Sequence, residues 1–537
     1  MRPSRRVRVG FCGVALGTGI ALLVSTAVAS RGASGWTFRI SSGNAGLVLD
    51  PAAFAGPASS LEWQDGLCAN LYTYPDLGGA RGAHVVPEVA DGPPFVSRNG
   101  RTYTFTLRRG YRFNTGAGVR AANFAAAINR DLSPKLHSPA ADFLRDVVGA
   151  TNVIAGTATK ASGVRAHGMK LTITLTRPAP DLVPRLAMTF FCAIPTNTPV
   201  ASLPVTPASA GPYYVAHTDA KQIVMERNPF YGGRRPHNPA KIVWLLNQPF
   251  DSIALQIERG QADFGLIPPS ATSVVAKQYP SQFHVGPGLG VACLALNSDR
   301  PLFHDNPRLR RAVNYAIDRR ALATQYGYFV SRRVTDQYLP PTMPGFRDAH
   351  IYPLSHPHFA KARALAAGHL GPATAVMYVR SPATTALARA QVVQYDLKQI
   401  GISVDIRQAT PQHDPSTRGE PFDIVDSGCY FPAPYIDPYP LLNLSFDGNL
   451  IQPTHNTNVA YFDSPRFNRR LEKAARLRGG ARYRAYGKLD VELAKEAAPA
   501  VAYALFENFA FVSKRIGCVR LNPLYGLSFG ALCLKTR

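Results

Sequence analysis

The stretch Val291–Leu322 reads VACLALNSDRPLFHDNPRLRRAVNYAIDRRAL, and it predicts a buried strand, a polar turn and an amphipathic helix. Val291–Leu296 is an apolar run that stops at polar residues, as a short buried strand does. Asn306 is placed to cap the helix, and Pro307 stands at its first position, where a missing N–H costs nothing. Apolar residues at three- and four-residue spacing then mark one buried face: Leu309, Ala312, Val313, Ala316, Ile317 and Ala321.

The arginines of this helix lie largely off the apolar face: Arg308, Arg310, Arg311, Arg319 and Arg320. Physical chemistry therefore predicts a packed strand–helix unit here and no reactive group. A second amphipathic helix is predicted at Ala386–Ile400, with Gly401 ending it as a C-cap.

Composition indicates a globular protein of more than one domain. A chain of 537 residues exceeds what one small core supports, and 46% of the residues are hydrophobic. The formal net charge is +25. Arginines are scattered, and no basic run interleaved with stacking aromatics occurs, so a solvated basic surface is favoured over nucleic-acid binding.

The N-terminus resembles a secretory signal peptide covering residues 1–29. Met1–Arg8 carries four Arg, Val9–Val24 is apolar, and Ala27-Val28-Ala29 has the small residues of a cleavage site. We expect an exported protein, at the periplasm or the outer face of the cell membrane or wall. An uncleaved N-terminal anchor remains the alternative.

Cysteine usage agrees with export. Cys12 lies in the predicted signal, and the other six are Cys68, Cys192, Cys293, Cys429, Cys518 and Cys533. An even count in an exported chain favours disulfides, with free buried thiols as the alternative. Cys518 and Cys533 are close enough in sequence to close a C-terminal hairpin.

A series of motifs in a fixed order resembles one known family, the family 5 solute-binding proteins, which are dipeptide, oligopeptide and nickel receptors of ABC importers. Besides the opening stretch, the matching segments are Arg101–Phe113, Gly211-Pro212-Tyr213, Glu226–Pro229, Tyr338–Pro341, Gln394–Ile406 and Asn458–Asn468. The resemblance extends from about Trp36 to the C-terminus.

The resemblance implies an α/β fold of two lobes, the periplasmic-binding-protein-like class II type with mixed sheets. Hinge strands near Ala292–Asn297 and Ala500–Phe506 would connect the lobes. The implied organisation is lobe I at 30–290 with an inserted subdomain at about 66–190, lobe II at 291–499, and a return to lobe I at 500–537. Some relatives also suggest a Cys293–Cys429 disulfide, which leaves Cys68 with Cys192.

The implied ligand site is a cleft between the lobes, and Gly428–Pro440 is its richest candidate wall. Predicted ligand-binding residues of this segment are Tyr430, Phe431, Tyr435, Asp437 and Tyr439. Relatives that bind peptides place an Asp here that pairs with the peptide α-amine. This chain reads Cys429-Tyr430-Phe431-Pro432-Ala433-Pro434 instead, and its nearest carboxylates are Asp426 and Asp437.

Three further residues are predicted at the cleft: Phe506 and Asn508 on the returning strand, and Tyr72 in the first lobe. For each of these, and for the proline-rich segment, packing into the structure is the alternative role. His356, His358 and His369 are interpreted as loop residues and not as a metal site, since no Cys or carboxylate accompanies them.

Catalytic motifs are absent from the sequence, which has no GxSxG, HExxH, P-loop or GxGxxG pattern. We therefore predict a binding protein with no enzymatic activity, no cofactor and no metal. It would capture a peptide-like or other small solute and deliver it to an ABC permease, acting as a monomer. The alternative is an envelope scaffold or partner-binding protein that keeps the fold without transport.

Overall fold

The structure is a computed structural model that describes residues 35–44, 48–53, 61–325, 330–380, 384–426 and 433–536. Strands of very different length build its sheets. The strands in chain order are β1 (Thr37–Ser41), β2 (Tyr72–Thr73), β3 (Val86–Pro87), β4 (Phe95–Val96), β5 (Thr102–Thr106), β6 (Val164–His167), β7 (Lys170–Thr174), β8 (Tyr213–Thr218), β9 (Gln222–Arg227), β10 (Lys241–Leu245), β11 (Phe264–Gly265), β12 (Phe283–Leu296), β13 (Val330–Val334), β14 (Thr374–Arg380), β15 (Ser403–Ala409), β16 (Ile424–Val425), β17 (Ala500–Phe511), β18 (Ile516–Gly517), β19 (Leu521–Asn522), β20 (Gly526–Leu527) and β21 (Cys533–Leu534).

The α-helices cover the faces of these sheets. In chain order they are α1 (Leu61–Leu67), α2 (Gly79–Gly82), α3 (Ala121–Asp131), α4 (Ala150–Ile154), α5 (Leu182–Arg185), α6 (Ile253–Glu258), α7 (Pro269–Gln278), α8 (Pro307–Ala316), α9 (Arg319–Gln325), α10 (Phe359–Ala366), α11 (Thr384–Lys398), α12 (Pro438–Phe446), α13 (Pro465–Arg476) and α14 (Gly479–Glu492).

Three mixed or antiparallel sheets define the architecture. A five-stranded sheet has the order β11-β1-β10-β9-β8, and a six-stranded sheet has the order β13-β17-β12-β16-β14-β15. A four-stranded sheet, β4-β5-β7-β6, falls within the range predicted for the inserted subdomain. This is the two-lobed fold that the resemblance implies. The domain boundaries themselves stay predictions, and the predicted signal at 1–29 lies outside the described residues.

A long antiparallel ribbon of β12 and β17 runs from one core to another. Near one end Ala510 pairs with His284 and packs in the core of the five-stranded sheet. Toward the other end Leu294 pairs with Val501, and both lie in the core of the six-stranded sheet. Register shifts interrupt the pairing between these ends. The predicted hinge segments lie at the end of the ribbon that packs in the core of the six-stranded sheet, and their role as hinges stays a prediction.

The opening stretch folds largely as its sequence predicts. Val291–Leu296 is the buried end of β12, and the Asn306 side chain caps α8 by accepting from the Leu309 N–H at 3.1 Å. The predicted single helix through Ala321 is wrong, because α8 ends at Ala316. A second helix, α9, starts at Arg319, where Asp318 accepts from the Ala321 N–H at 2.9 Å.

Two of the arginines expected off the apolar face are buried. Arg310 donates to the backbone oxygen of Ala497, and Arg319 donates to that of Ala502. Both oxygens belong to the segment that leads into β17 or to β17 itself, and burial lowers the pKa of each guanidinium to about 10. These side chains link the helices to the sheet by donating to backbone carbonyl groups.

Disulfides join Cys68 to Cys192 and Cys518 to Cys533. Cys293 is also disulfide-bonded. Its predicted partner Cys429 lies outside the described residues, so that pairing stays a prediction.

Removing the C-terminal disulfide with Cys518→Ala and Cys533→Ala is expected to lower the free energy of unfolding by about 3 kcal/mol, because the cross-link closes a 15-residue loop. Urea denaturation of the variant and the parent measures the difference. The control is a second double variant, Cys518→Ser with Cys533→Ser, which should lose a similar amount. An unchanged midpoint would show that the β18–β21 pairing alone holds this segment.

Candidate functional site

The segment after residue 432 packs against residues of the predicted subdomain. The Tyr435 ring is buried, and its hydroxyl donates to the Asp181 carboxylate at 2.8 Å. The ring also lies edge-on to Phe143, with 6.3 Å between centroids. The next residue, Ile436, donates its N–H to the Tyr74 hydroxyl at 3.0 Å. Residues far apart in the chain are thus joined at one interface.

Asp437 lies one residue further and has two structural partners. It caps α12 by accepting from the Tyr439 N–H at 2.9 Å. Its carboxylate also forms a bidentate ion pair with Arg482, with N–O distances of 2.9 and 2.6 Å. Both side chains are almost fully buried. Tyr439 is half-buried, and its hydroxyl accepts from Arg177 at 3.3 Å.

Charges at this interface are balanced locally. Arg185 forms a bidentate pair with Asp146, at 2.8 and 3.0 Å, and lies 3.4 Å from Asp181. Burial alone would raise the pKa of Asp181, but Arg185 and Arg482 hold that pKa below its ordinary value. Asp181 is therefore a carboxylate that accepts the hydroxyl proton of Tyr435 in a hydrogen bond. A charged acceptor strengthens such a bond.

The other predicted ligand-binding residues lie elsewhere. Phe506 is buried in the core of the six-stranded sheet. Asn508 lies on the same strand and donates to the backbone oxygens of Asn522 and Pro523 at 2.9 and 3.2 Å. Tyr72 is buried, and its hydroxyl donates to the Gly92 oxygen at 2.6 Å. Tyr430 and Phe431 lie outside the described residues, and the ligand-binding roles of the whole set stay predictions.

Sequence reasoning missed the partners of this segment. Asp181, Arg185 and Tyr74 belong to no motif, and they lie some hundreds of residues from Tyr435. Only the Asp437-Pro438 pair carried a local signal, because Asp before Pro is a common helix start. Both carboxylates nearest the altered motif are engaged, since Asp426 pairs with Arg389 and accepts from the Tyr503 hydroxyl at 2.8 Å.

In the described part of the chain, no group of three or more His, Cys, Asp and Glu side chains is arranged to hold a metal ion. His358 caps α10 by accepting from the Lys361 N–H. Among the same residues, no helix combines the length and hydropathy needed to cross a membrane.

Comparisons with known proteins give one family. The family model described as bacterial extracellular solute-binding proteins, family 5, middle region, matches residues 84–451. The glutathione-binding protein of Salmonella choleraesuis is 26% identical over 316 residues, which cover 58% of this chain and 59% of that protein. The oligopeptide-binding protein of Bacillus subtilis is 26% identical over 273 residues, covering 47% and 48%. The chain thus spans about half the length of these relatives.

Solved structures show the same fold over nearly the whole chain. The clavulanic acid biosynthesis oligopeptide binding protein 2 superposes with a TM-score of 0.83 at 22% identity, covering 94% of this chain and 96% of that one. At that identity the likeness concerns the fold.

Proposed function

The chain belongs to the bacterial extracellular solute-binding proteins, family 5, and we propose that it captures a small solute between its lobes and delivers it to an ABC permease. The protein is exported, and it binds its solute without transforming it. The observation that carries the proposal is the interface of Tyr435 and Ile436 with the subdomain, because it joins the two sides of the predicted cleft by direct hydrogen bonds.

Closure of the lobes is the mechanism. Solute binding shifts the population from an open to a closed form, and the β12–β17 ribbon bends between them. In the closed form Tyr435 meets Asp181, Ile436 meets Tyr74, and Tyr439 meets Arg177. These intramolecular contacts stabilise the closed form. They therefore raise the affinity for a solute that binds the closed form preferentially.

The solute is peptide-like but is not selected through a free α-amine. Two relatives are named for glutathione and for oligopeptides, which supports a peptide-like class here. The carboxylates flanking the altered motif, Asp426 and Asp437, are both occupied by arginines. An amine would have to displace a buried guanidinium from either of them, at the cost of an uncompensated charge.

A thermal-shift screen tests the function. Glutathione, di- to oligopeptides, their N-acetylated forms, sugars and nickel chelates are added in turn, and a ligand that binds only the folded protein raises its stability by about 2.7 kcal/mol at one hundred times its Kd. We expect one peptide-like class to stabilise the protein, with N-acetylation having little effect. A flat response to every class, together with capture of an envelope partner, would favour the scaffold alternative.

Tyr435→Phe is the variant that tests closure of the lobes through the Tyr435–Asp181 hydrogen bond. It removes one hydrogen bond to a carboxylate, a contribution of about 1.5–3 kcal/mol, and so should weaken solute binding about tenfold or more. Tyr395→Phe is the control, since Tyr395 is 64% exposed on α11. Isothermal titration measures both. Equal affinities for the two variants would remove closure through Tyr435 from the mechanism.

A further inference from the structure

A cavity of about 200 Å³ lies beside the Cys68–Cys192 disulfide, and its described lining shares no residue with the interface of Tyr435. Its wall combines the turn at Leu49–Pro51, the end of α1 at Leu67, and parts of the segment 192–209. Leucine, isoleucine, alanine and proline side chains make up most of this lining. The disulfide holds the two sides of the wall together.

Three polar side chains of the wall have partners within the protein, whereas the buried Gln64 Nε2 has none among the described residues. Asp50 is the one charged residue of the described lining, and both of its oxygens accept from Arg130 at 2.8 Å. The Ser209 hydroxyl donates to the Leu67 oxygen, and the Thr198 hydroxyl donates to the Pro195 oxygen at 2.7 Å. Asp50, Ser209 and Thr198 therefore have little left to offer a polar ligand.

One long segment that contributes to the wall carries no charge of its own. Between Arg185 and Asp219 there is no Asp, Glu, Lys or Arg, in a protein whose formal net charge is +25. On the same segment Val200, Leu203 and Val205 are 47%, 40% and 71% exposed. An apolar surface thus borders the cavity, and a charged molecule would find no counter-charge there.

We propose that this cavity is a second binding site, separate from the cleft, for a small uncharged apolar molecule about the size of a substituted benzene ring. An engineered cavity of about 150 Å³ lined by leucine, isoleucine and phenylalanine takes up benzene, and this one is somewhat larger, with proline in place of phenylalanine in its wall. Binding removes apolar surface from water on both sides, which is the driving force. An ionised ligand of the same shape would lose its hydration without compensation.

Toluene and benzoate are the probes, because they share a ring and differ in charge. Isothermal titration and ligand-detected saturation-transfer NMR of the full protein should show toluene binding at one site and benzoate not binding. Ala208→Leu places three more carbons in the wall and is expected to weaken toluene binding by at least about tenfold. The control is Ala201→Leu, the same change at an exposed position of the same segment outside the lining.

Thr206→Trp is a second variant for the case in which Ala208→Leu fails to fold. Thr206 is an exposed residue of the lining, so a larger side chain obstructs the cavity without entering the core. Absence of toluene binding to the parent protein would overturn the proposal. So would unchanged binding in the lining variants, or equal binding of benzoate. Displacement of toluene by a solute from the thermal-shift screen would overturn it too, since that would place both in the cleft and leave the receptor function intact.

Discussion

Arg482→Met is expected to lower the free energy of unfolding by about 3–5 kcal/mol, the usual loss when one partner of a buried ion pair is removed. Arg482 and Asp437 are 2% and 1% exposed, so the remaining carboxylate would stay in the interior without a counter-charge. Asp181 adds a second negative charge nearby. The guanidinium also donates to the backbone oxygen of Ala475 at 2.6 Å, and that bond is lost as well. Urea denaturation measures the change.

Two comparisons isolate the charge from the packing. Asp437→Asn combined with Arg482→Met removes both charges while Asn can still cap α12, so the pair should recover part of the loss. Arg484→Met is the matched control, because Arg484 is exposed on the same helix. A double variant no more stable than Arg482→Met alone would show that the loss comes from packing and not from an uncompensated carboxylate.

Local signals in the sequence predicted the elements that local interactions hold. Asn306 and Pro307 start α8 as expected, and Gly401, with a φ of 88°, follows the predicted second helix, which spans Thr384–Lys398. The break after Ala316 was missed because its cause is distant. Asp318 donates its N–H at 2.8 Å to the carboxylate of Asp396, which lies on α11, 78 residues further along the chain. The spacing of apolar residues within Val291–Leu322 gives no information about that contact.

The candidate site shows the same division. The aromatic and proline-rich character of Gly428–Pro440 marked the segment, and the start of α12 at Asp437-Pro438 follows from local capping. What Tyr435 contacts could not be predicted, since Asp181 lies 254 residues away and belongs to no motif. Burial of Arg310 and Arg319 was missed for the same reason, because their acceptors are backbone oxygens near the start of β17.

A second buried cluster forms around Arg235, which lies close to carboxylates from the segment 65–88. Arg235 pairs with Asp65 at 2.9 Å and lies 3.5 Å from Glu88. The negative charge of Asp76 also helps to raise the pKa of Arg235. The Tyr231 hydroxyl donates to the Glu88 carboxylate at 3.5 Å and accepts from the backbone N–H of Arg235 at 3.4 Å. Three carboxylates thus share the guanidinium of Arg235, and only Asp76 among them also has its pKa lowered by a second arginine, Arg520. Such an excess of negative charge favours the protonated form of these carboxyl groups.

The pKa values follow that expectation and set the sign of the pH dependence. Burial raises the pKa of Asp65 to about 7 and also raises those of Asp76 and Glu88. In the unfolded chain these groups titrate near pH 4. The folded protein therefore binds more protons between about pH 4 and pH 7, so the contribution of this cluster to stability falls as the pH rises through that window.

Arg235→Met should make this dependence steeper. At pH 8 the variant would leave several buried carboxylates without their main counter-charge, and we expect a loss of about 3–5 kcal/mol or more. At pH 5 the same carboxyls can take up protons, because losing Arg235 raises their pKa values further, and the loss should be smaller. Arg234→Met, at the exposed neighbouring position, is the control. Urea denaturation at both pH values decides the matter: an equal loss at pH 5 and pH 8 would mean that Arg235 acts by packing, and that the carboxyls around it do not exchange protons on folding.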